Sequence, residues 1–112
     1  MTVEEYEAVI AGSRTPPFRA ERDELPHAAM GLAGEAGEVV DIVKKGLYQK
    51  KLSAEYFATS REHLLEELGD CYYHIAWLLK YFDFTQSEMM EYNVEKLMKR
   101  YPERFVAREV KI

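Results

Sequence analysis

An apolar row between residues 64 and 82 constrains this chain more than any other feature. Leu64, Leu68, Cys71, Ile75, Leu78 and Phe82 recur at spacings of three and four, the period of one helix face. A row that long must be covered, so it predicts a helix packed against other helices. One position earlier runs a second row of His63, Glu67, Asp70, His74, Trp77 and Tyr81. The spacing sets this row at the edge of the core, where Glu67 and Asp70 are expected to be less hydrated than surface acids.

The rest of the chain reads as further helix, with no credible sheet. Residues 2–11 form a short amphipathic stretch ended by Gly12, and Pro16 and Pro17 exclude helix from the loop predicted over 12–23. Asp23 is the expected N-cap of a second helix, with Pro26 in its first turn and Gly46 as its stop after Lys45. Residues 47–58 read as a connector with one helical turn. Thr59 with Glu62, and Thr85 with Glu88, carry the capping-box pattern and open the third and fourth helices; Pro102 closes the fourth. The ending FVAREVKI alternates weakly, as a strand or an arm on another subunit would.

The expected fold is therefore one all-α domain over 1–112, resembling a four-helix bundle. Its second and third helices form an antiparallel hairpin. At 112 residues the chain supports one modest core, which a partner chain would extend.

Charge narrows the function. The net charge of -5 comes with no dense Lys/Arg block, so the long-range field repels a nucleic-acid polymer. The N-terminus lacks a basic region followed by an apolar run, and no apolar stretch nears the roughly 18 residues of a membrane span. The expectation is a cytoplasmic protein with no membrane contact. The lone Cys71 cannot form an intrachain disulfide, which fits a reducing compartment.

The stretch GLAGEAGEVVD, residues 31–41, then demands an explanation, because each helix-interior glycine costs about 1 kcal/mol relative to alanine. At about 100° per residue, Gly34 and Gly37 fall about 60° and 120° to one side of Gly31. Glu35 and Glu38 fall between and beside them, and they are the only charged residues from Ala28 to Val40. Missing Cβ atoms permit another backbone or a ligand to come close. Glu35 and Glu38 point to one side of their helix, as Glu67 and Asp70 do on theirs. Together the pairs make four carboxylates, which repel one another unless a hard divalent cation joins them. Mg²⁺ suits such an open half-shell, since it keeps waters and prefers a few carboxylates plus substrate phosphates. A site of that kind activates water and neutralises phosphate charge.

The stretches GLAGEAGEVVDIVKKG, EELGDCYYHIAWLL and NVEKLMKRYPERF, in that order between about Leu25 and Phe105, resemble the MazG-like branch of the all-α nucleoside triphosphate pyrophosphohydrolases. The glycine-framed ExxE, the later ExxD and the KLxxRYP ending are specific as a set. The resemblance implies Mg²⁺-dependent cleavage of an NTP or dNTP between its α and β phosphates, giving monophosphate and pyrophosphate, with Mn²⁺ as a substitute metal. It implies pool control or house-cleaning as the purpose, and a homodimer or homotetramer as the assembly.

Carried onto this sequence, the implied metal ligands and catalytic acids are Glu35, Glu38, Glu67 and Asp70. Glu35, Glu38 and Glu66 stand as alternatives for activating the water. Lys96 and Arg100 are the implied phosphate contacts and Asn93 a sugar or phosphate contact. From the residues alone, Lys45 belongs to a loose basic set with Lys44, Lys50 and Lys51 that would close over a triphosphate, against an ordinary helix-end role. His27 lies two turns before Glu35 and would touch substrate or serve as a surface residue. Trp77 and Tyr81 would stack a base or simply pack.

Two other classes compete. A di-iron carboxylate bundle wants Glu-x-x-His on each of two helices. Only Glu24 and His27 supply it, beside Pro26. A non-catalytic dimerisation or metal-binding module explains the glycines but not the paired acids.

Overall fold

The computed structural model describes residues 1–13 and 21–105. The loop residues Pro16, Pro17 and Phe18 and the tail from residue 106 onward lie outside them. Six helices follow in order: α1 Val3–Gly12, α2 Glu21–Tyr48, α3 Ala54–Thr59, α4 Arg61–Tyr81, α5 Gln86–Arg100 and α6 Pro102–Phe105. No strand occurs among the described residues, so the chain is all-α.

Local chemistry explains most of the helix ends. Thr2 caps α1 through a full capping box with Glu5. Thr85 caps α5, its hydroxyl accepting from Glu88 N–H at 3.0 Å. Three ends differ from expectation. Helix α2 already includes Asp23, so that residue is not its cap, and Pro26 is carried inside the helix.

Gly46 does not stop α2 either. A Cβ at Gly46 would lie within 3.0 Å of ring atoms of Phe57 and Tyr56, so this glycine serves close packing of α3 on α2. The Tyr56 hydroxyl donates to Ile42 O at 2.8 Å and fastens the same two helices. The chain reverses beyond the helix, where Lys51 and Leu52 take left-handed backbone with φ of 50° and 57°.

The expected Thr59 capping box is absent for a competing reason. Thr59 is the last residue of α3, and its hydroxyl donates to Tyr56 O at 2.9 Å. Ser60 occupies the N-cap of α4 without a side-chain cap bond.

Helices α2 and α4 pack antiparallel, and α1 packs on α4. Ile10, Ala28, Ala76 and Trp77 form the buried cluster, each 4% exposed. Tyr6 of α1 meets Tyr72 of α4 edge-on at 5.3 Å, and the Ser13 and Tyr73 hydroxyls lie 3.1 Å apart. Gln86, the first residue of α5, is buried and accepts a hydrogen bond from the Tyr72 hydroxyl.

The face that α4 buries departs in part from the one its apolar row predicts. Trp77 is buried and stacks on Tyr81 at 5.7 Å, whereas Leu68 and Phe82 are 49% and 54% exposed. Of the edge row Trp77 is buried and His74 and Tyr81 are half-buried, while His63 and Asp70 stay exposed; of the apolar row Leu64, Cys71, Ile75 and Leu78 are half-buried. Small residues on α2 accept large rings from α4, and that fit outweighs the higher average hydrophobicity of the neighbouring row.

Candidate active site

Two helices supply the acids. Glu35 stands midway along α2 and Glu67 and Asp70 stand one turn apart on α4. Because the helices are antiparallel and lean at this level, one carboxylate oxygen from each of the three falls within 4.8 Å of the others. Glu35 and Glu67 are half-buried and Asp70 is exposed, so the group sits at the mouth of the helix pair.

The electrostatics show what such crowding costs. The Glu67 carboxyl is pushed up from its ordinary value, first by its hydrogen bond with Glu35. Lost hydration and the charges of Glu35, Asp70 and Glu38 add to the shift. Without a cation, Glu67 is inclined to hold its proton. The neighbouring Cys71 thiol is pushed up too, by burial first and then by Glu35, Glu67 and Asp70.

These residues fit a hard divalent cation. Glu67 Oε2 is buried and has no hydrogen-bond partner, an arrangement that a positive ion would complete. All three donors are carboxylate oxygens, the set that Mg²⁺ and Mn²⁺ prefer over softer metals.

The remaining predicted residues divide. Glu38 is exposed and outside the three-acid group, although near enough for its charge to act on Glu67. Lys45 is exposed and pairs with Asp41 at 2.9 Å; that hydrogen bond raises its pKa, and Glu38 adds a small contribution. His27 is an exposed residue early in α2. Of the two readings of Trp77, base stacking gives way to packing: the residue is 4% exposed and its ring is already stacked on Tyr81.

Asn93, Lys96 and Arg100 all lie exposed on α5, and among the described residues no hydrogen bond or ion pair joins them to the acids. Lys96 lines a cleft of about 210 Å³ with Tyr92, Glu95 and Lys99. Glu66 is exposed on α4 and outside the acidic group.

Three neighbours were not singled out from the sequence. His63 Nε2 lies 3.4 Å from Glu67 Oε1, and the four-residue spacing of the two was the signal available. His74 lies against Gly31, as only the fold reveals. Tyr6 comes close enough to Asp70 for that charge to add to a pKa raised mainly by burial, and nothing local in the sequence marks it.

Comparison with known proteins gives the same direction. The chain is 37% identical over 76 residues to the "Gene 37 protein" of Mycobacterium phage L5, covering 68% of this chain and 65% of that protein. No solved structure matches the chain. Residues 26–105 match the family described as the MazG nucleotide pyrophosphohydrolase domain. That span takes in α2 from Pro26 onward and the whole of α3 to α6, and so all three acids, and the chain belongs to this family.

Proposed function

We propose that this protein is a Mg²⁺-dependent pyrophosphohydrolase that converts an NTP or dNTP to its monophosphate and pyrophosphate. The observation that carries the reading is the convergence of Glu35, Glu67 and Asp70 beside a buried, unpartnered oxygen of Glu67. Membership of the nucleotide pyrophosphohydrolase family supplies the substrate class.

Glu35, Glu67 and Asp70 would hold the cation, which supplies charge neutralisation at the phosphates and a more acidic water. Glu38 stands exposed beside them and outside the group, and it takes the proton of the attacking water. Loading the site would require Glu67 to give up the proton that its raised pKa favours, so binding is favoured by rising pH. Lys96 and Arg100 neutralise phosphate oxygens from α5, with Asn93 on the same helix and Lys45 at the end of α2.

The protein acts as a single domain, in the cytoplasm, and as a homodimer or homotetramer. No described helix is long and apolar enough to cross a membrane. The apolar row of α4 supports assembly, because its members Leu68 and Phe82 are 49% and 54% exposed in the single chain and Leu65 near it is 70% exposed. Beside that row, Leu79, Phe84, Met89 and Tyr92 line an apolar cleft of about 410 Å³.

The test is product analysis after incubation with each NTP and dNTP and Mg²⁺, with Glu35→Gln as control. Monophosphate and pyrophosphate, lost in the control, are expected. Diphosphate and phosphate, or unchanged products in the control, would overturn the reading.

A further inference from the structure

The three acids come from two different helices, so their separation depends on how closely α2 and α4 approach. The packing changes character along the helix pair. One turn before Glu35 on α2 is Gly31, and one turn after Asp70 on α4 is His74. The antiparallel arrangement brings those two residues to the same level. The imidazole lies so close to the α2 backbone that a Cβ at Gly31 would sit within 3.0 Å of Cε1, Nε2 and Nδ1. A turn further on, Ala28 and Trp77 share the buried cluster in the same small-on-large manner.

Gly34 and Gly37 behave differently. A Cβ at either would have no atom within 4 Å other than its own surroundings in the helix. Of the three glycines that frame the glutamates, Gly31 is the one the single chain requires for contact between helices. The His74 ring is half-buried and meets Tyr73 edge-on at 5.4 Å.

We propose that Gly31 and His74 form a spacer that sets the α2 to α4 distance at the acidic group, making them positioning residues for the cation held by Glu35, Glu67 and Asp70. The cation is part of the function proposed above, and the spacer rests on that reading. The contact acts as a stop one turn from the acids: the ring fills the gap when position 31 lacks a side chain, and any added atom must move the ring or the helix. If the helix moves, Glu35 moves with it. The Glu35 carboxylate then leaves the 4.8 Å group it forms with Glu67 and Asp70.

The experiment measures Mn²⁺ affinity without nucleotide, by the electron spin resonance signal of free Mn²⁺, for the wild type, Glu67→Gln, Gly31→Ala, and Gly31→Ala combined with His74→Ala. Circular dichroism checks that each is folded. Crystal structures of the metal-free wild type and Gly31→Ala give the Glu35 to Glu67 separation. Gly31→Ala is expected to weaken Mn²⁺ binding at least about 10-fold, the range seen when outer-shell support of a metal ligand is disturbed. Removing the ring in the double variant, whose new Cβ takes up part of the space the ring leaves, is expected to bring affinity back to within about threefold of wild type, although the glycine is still absent.

Should Gly31→Ala fail to fold, His74→Ala, which removes the stop and keeps the glycine, carries the test: Mn²⁺ binding weakened at least about 10-fold supports the spacer, and binding at the wild-type level overturns it. Wild-type affinity in folded Gly31→Ala, with His74 simply turned aside and the carboxylates unmoved, also overturns it. If Glu67→Gln binds Mn²⁺ as the wild type does, or neither binds, the metal reading fails on its own. The crystallographic separation then decides the spacer, with widening in Gly31→Ala supporting it and no change refuting it.

Discussion

Trp77→Ala tests which face of α4 is inside. Trp77 is 4% exposed and packs with Ile10, Ala28 and Ala76, so nearly all of its side-chain area, on the order of 250 Å² for a tryptophan, is removed from water. At about 25 cal/mol per Å² that burial stabilises by roughly 6 kcal/mol against an extended chain. Allowing for a compact unfolded state trims it to about 4 kcal/mol, inside the range of about 3–5 for Trp→Ala in cores. Phe82 is 54% exposed, and the same reasoning gives roughly 1–2 kcal/mol for Phe82→Ala.

Urea unfolding followed by far-ultraviolet circular dichroism measures both, since Trp77 is the only tryptophan and its loss removes the fluorescence probe. Two protein concentrations separate packing from assembly. The Trp77→Ala loss is expected to be independent of concentration, whereas the Phe82→Ala loss grows with concentration if a second copy covers that row. A Trp77→Ala loss no greater than that of Phe82→Ala at the lower concentration would refute the assignment of the inner face.

Two further outcomes follow from the acids. The raised Glu67 pKa means the native state holds a proton that the unfolded chain releases, so its favourable contribution is complete below the unfolded value of about 4.3 and disappears as pH rises through the raised native value. Metal-free wild type should therefore lose thermal stability over that interval more steeply than Glu67→Gln, and coincident Tm profiles would contradict the raised Glu67 pKa. Cys71, its thiol pushed up by burial and by the same three acids, should be alkylated by iodoacetamide at pH 8 more slowly than in the urea-unfolded chain. Glu67→Gln should shorten the half-time, and equal rates in native and unfolded protein would remove the electrostatic account.

The parts legible from sequence are those set by local spacing. Helix periodicity over residues 64–82, the Thr85 cap and the one-turn spacing of Glu67 and Asp70 each depend on residues within a turn or two of one another. What escaped depended on distant partners. Gly46 resembles a helix stop until Phe57 is seen resting on it, and Gly31 resembles its neighbours Gly34 and Gly37 until His74 is placed against it. The depth of Trp77, and the exposure of Leu68 and Phe82 at the two ends of the apolar row, escaped for the same reason. Tryptophan, tyrosine and histidine have polar tips that lower their weight in a hydrophobic pattern, yet Trp77 and His74 fill spaces that Ala28 and Gly31 leave open on α2. The acidic group was legible as two pairs, but only the fold shows that Glu35, Glu67 and Asp70 converge while Glu38 stands aside.

Pyrophosphate release from a nucleoside triphosphate in the presence of Mg²⁺, compared between wild type and Glu67→Gln, tests the central claim most directly. The account predicts stoichiometric monophosphate and pyrophosphate from the wild type and a rate lower by about 100-fold or more in Glu67→Gln, whose far-ultraviolet spectrum stays unchanged. Equal turnover by the two proteins, or turnover unaffected by removing Mg²⁺ with a chelator, would contradict it.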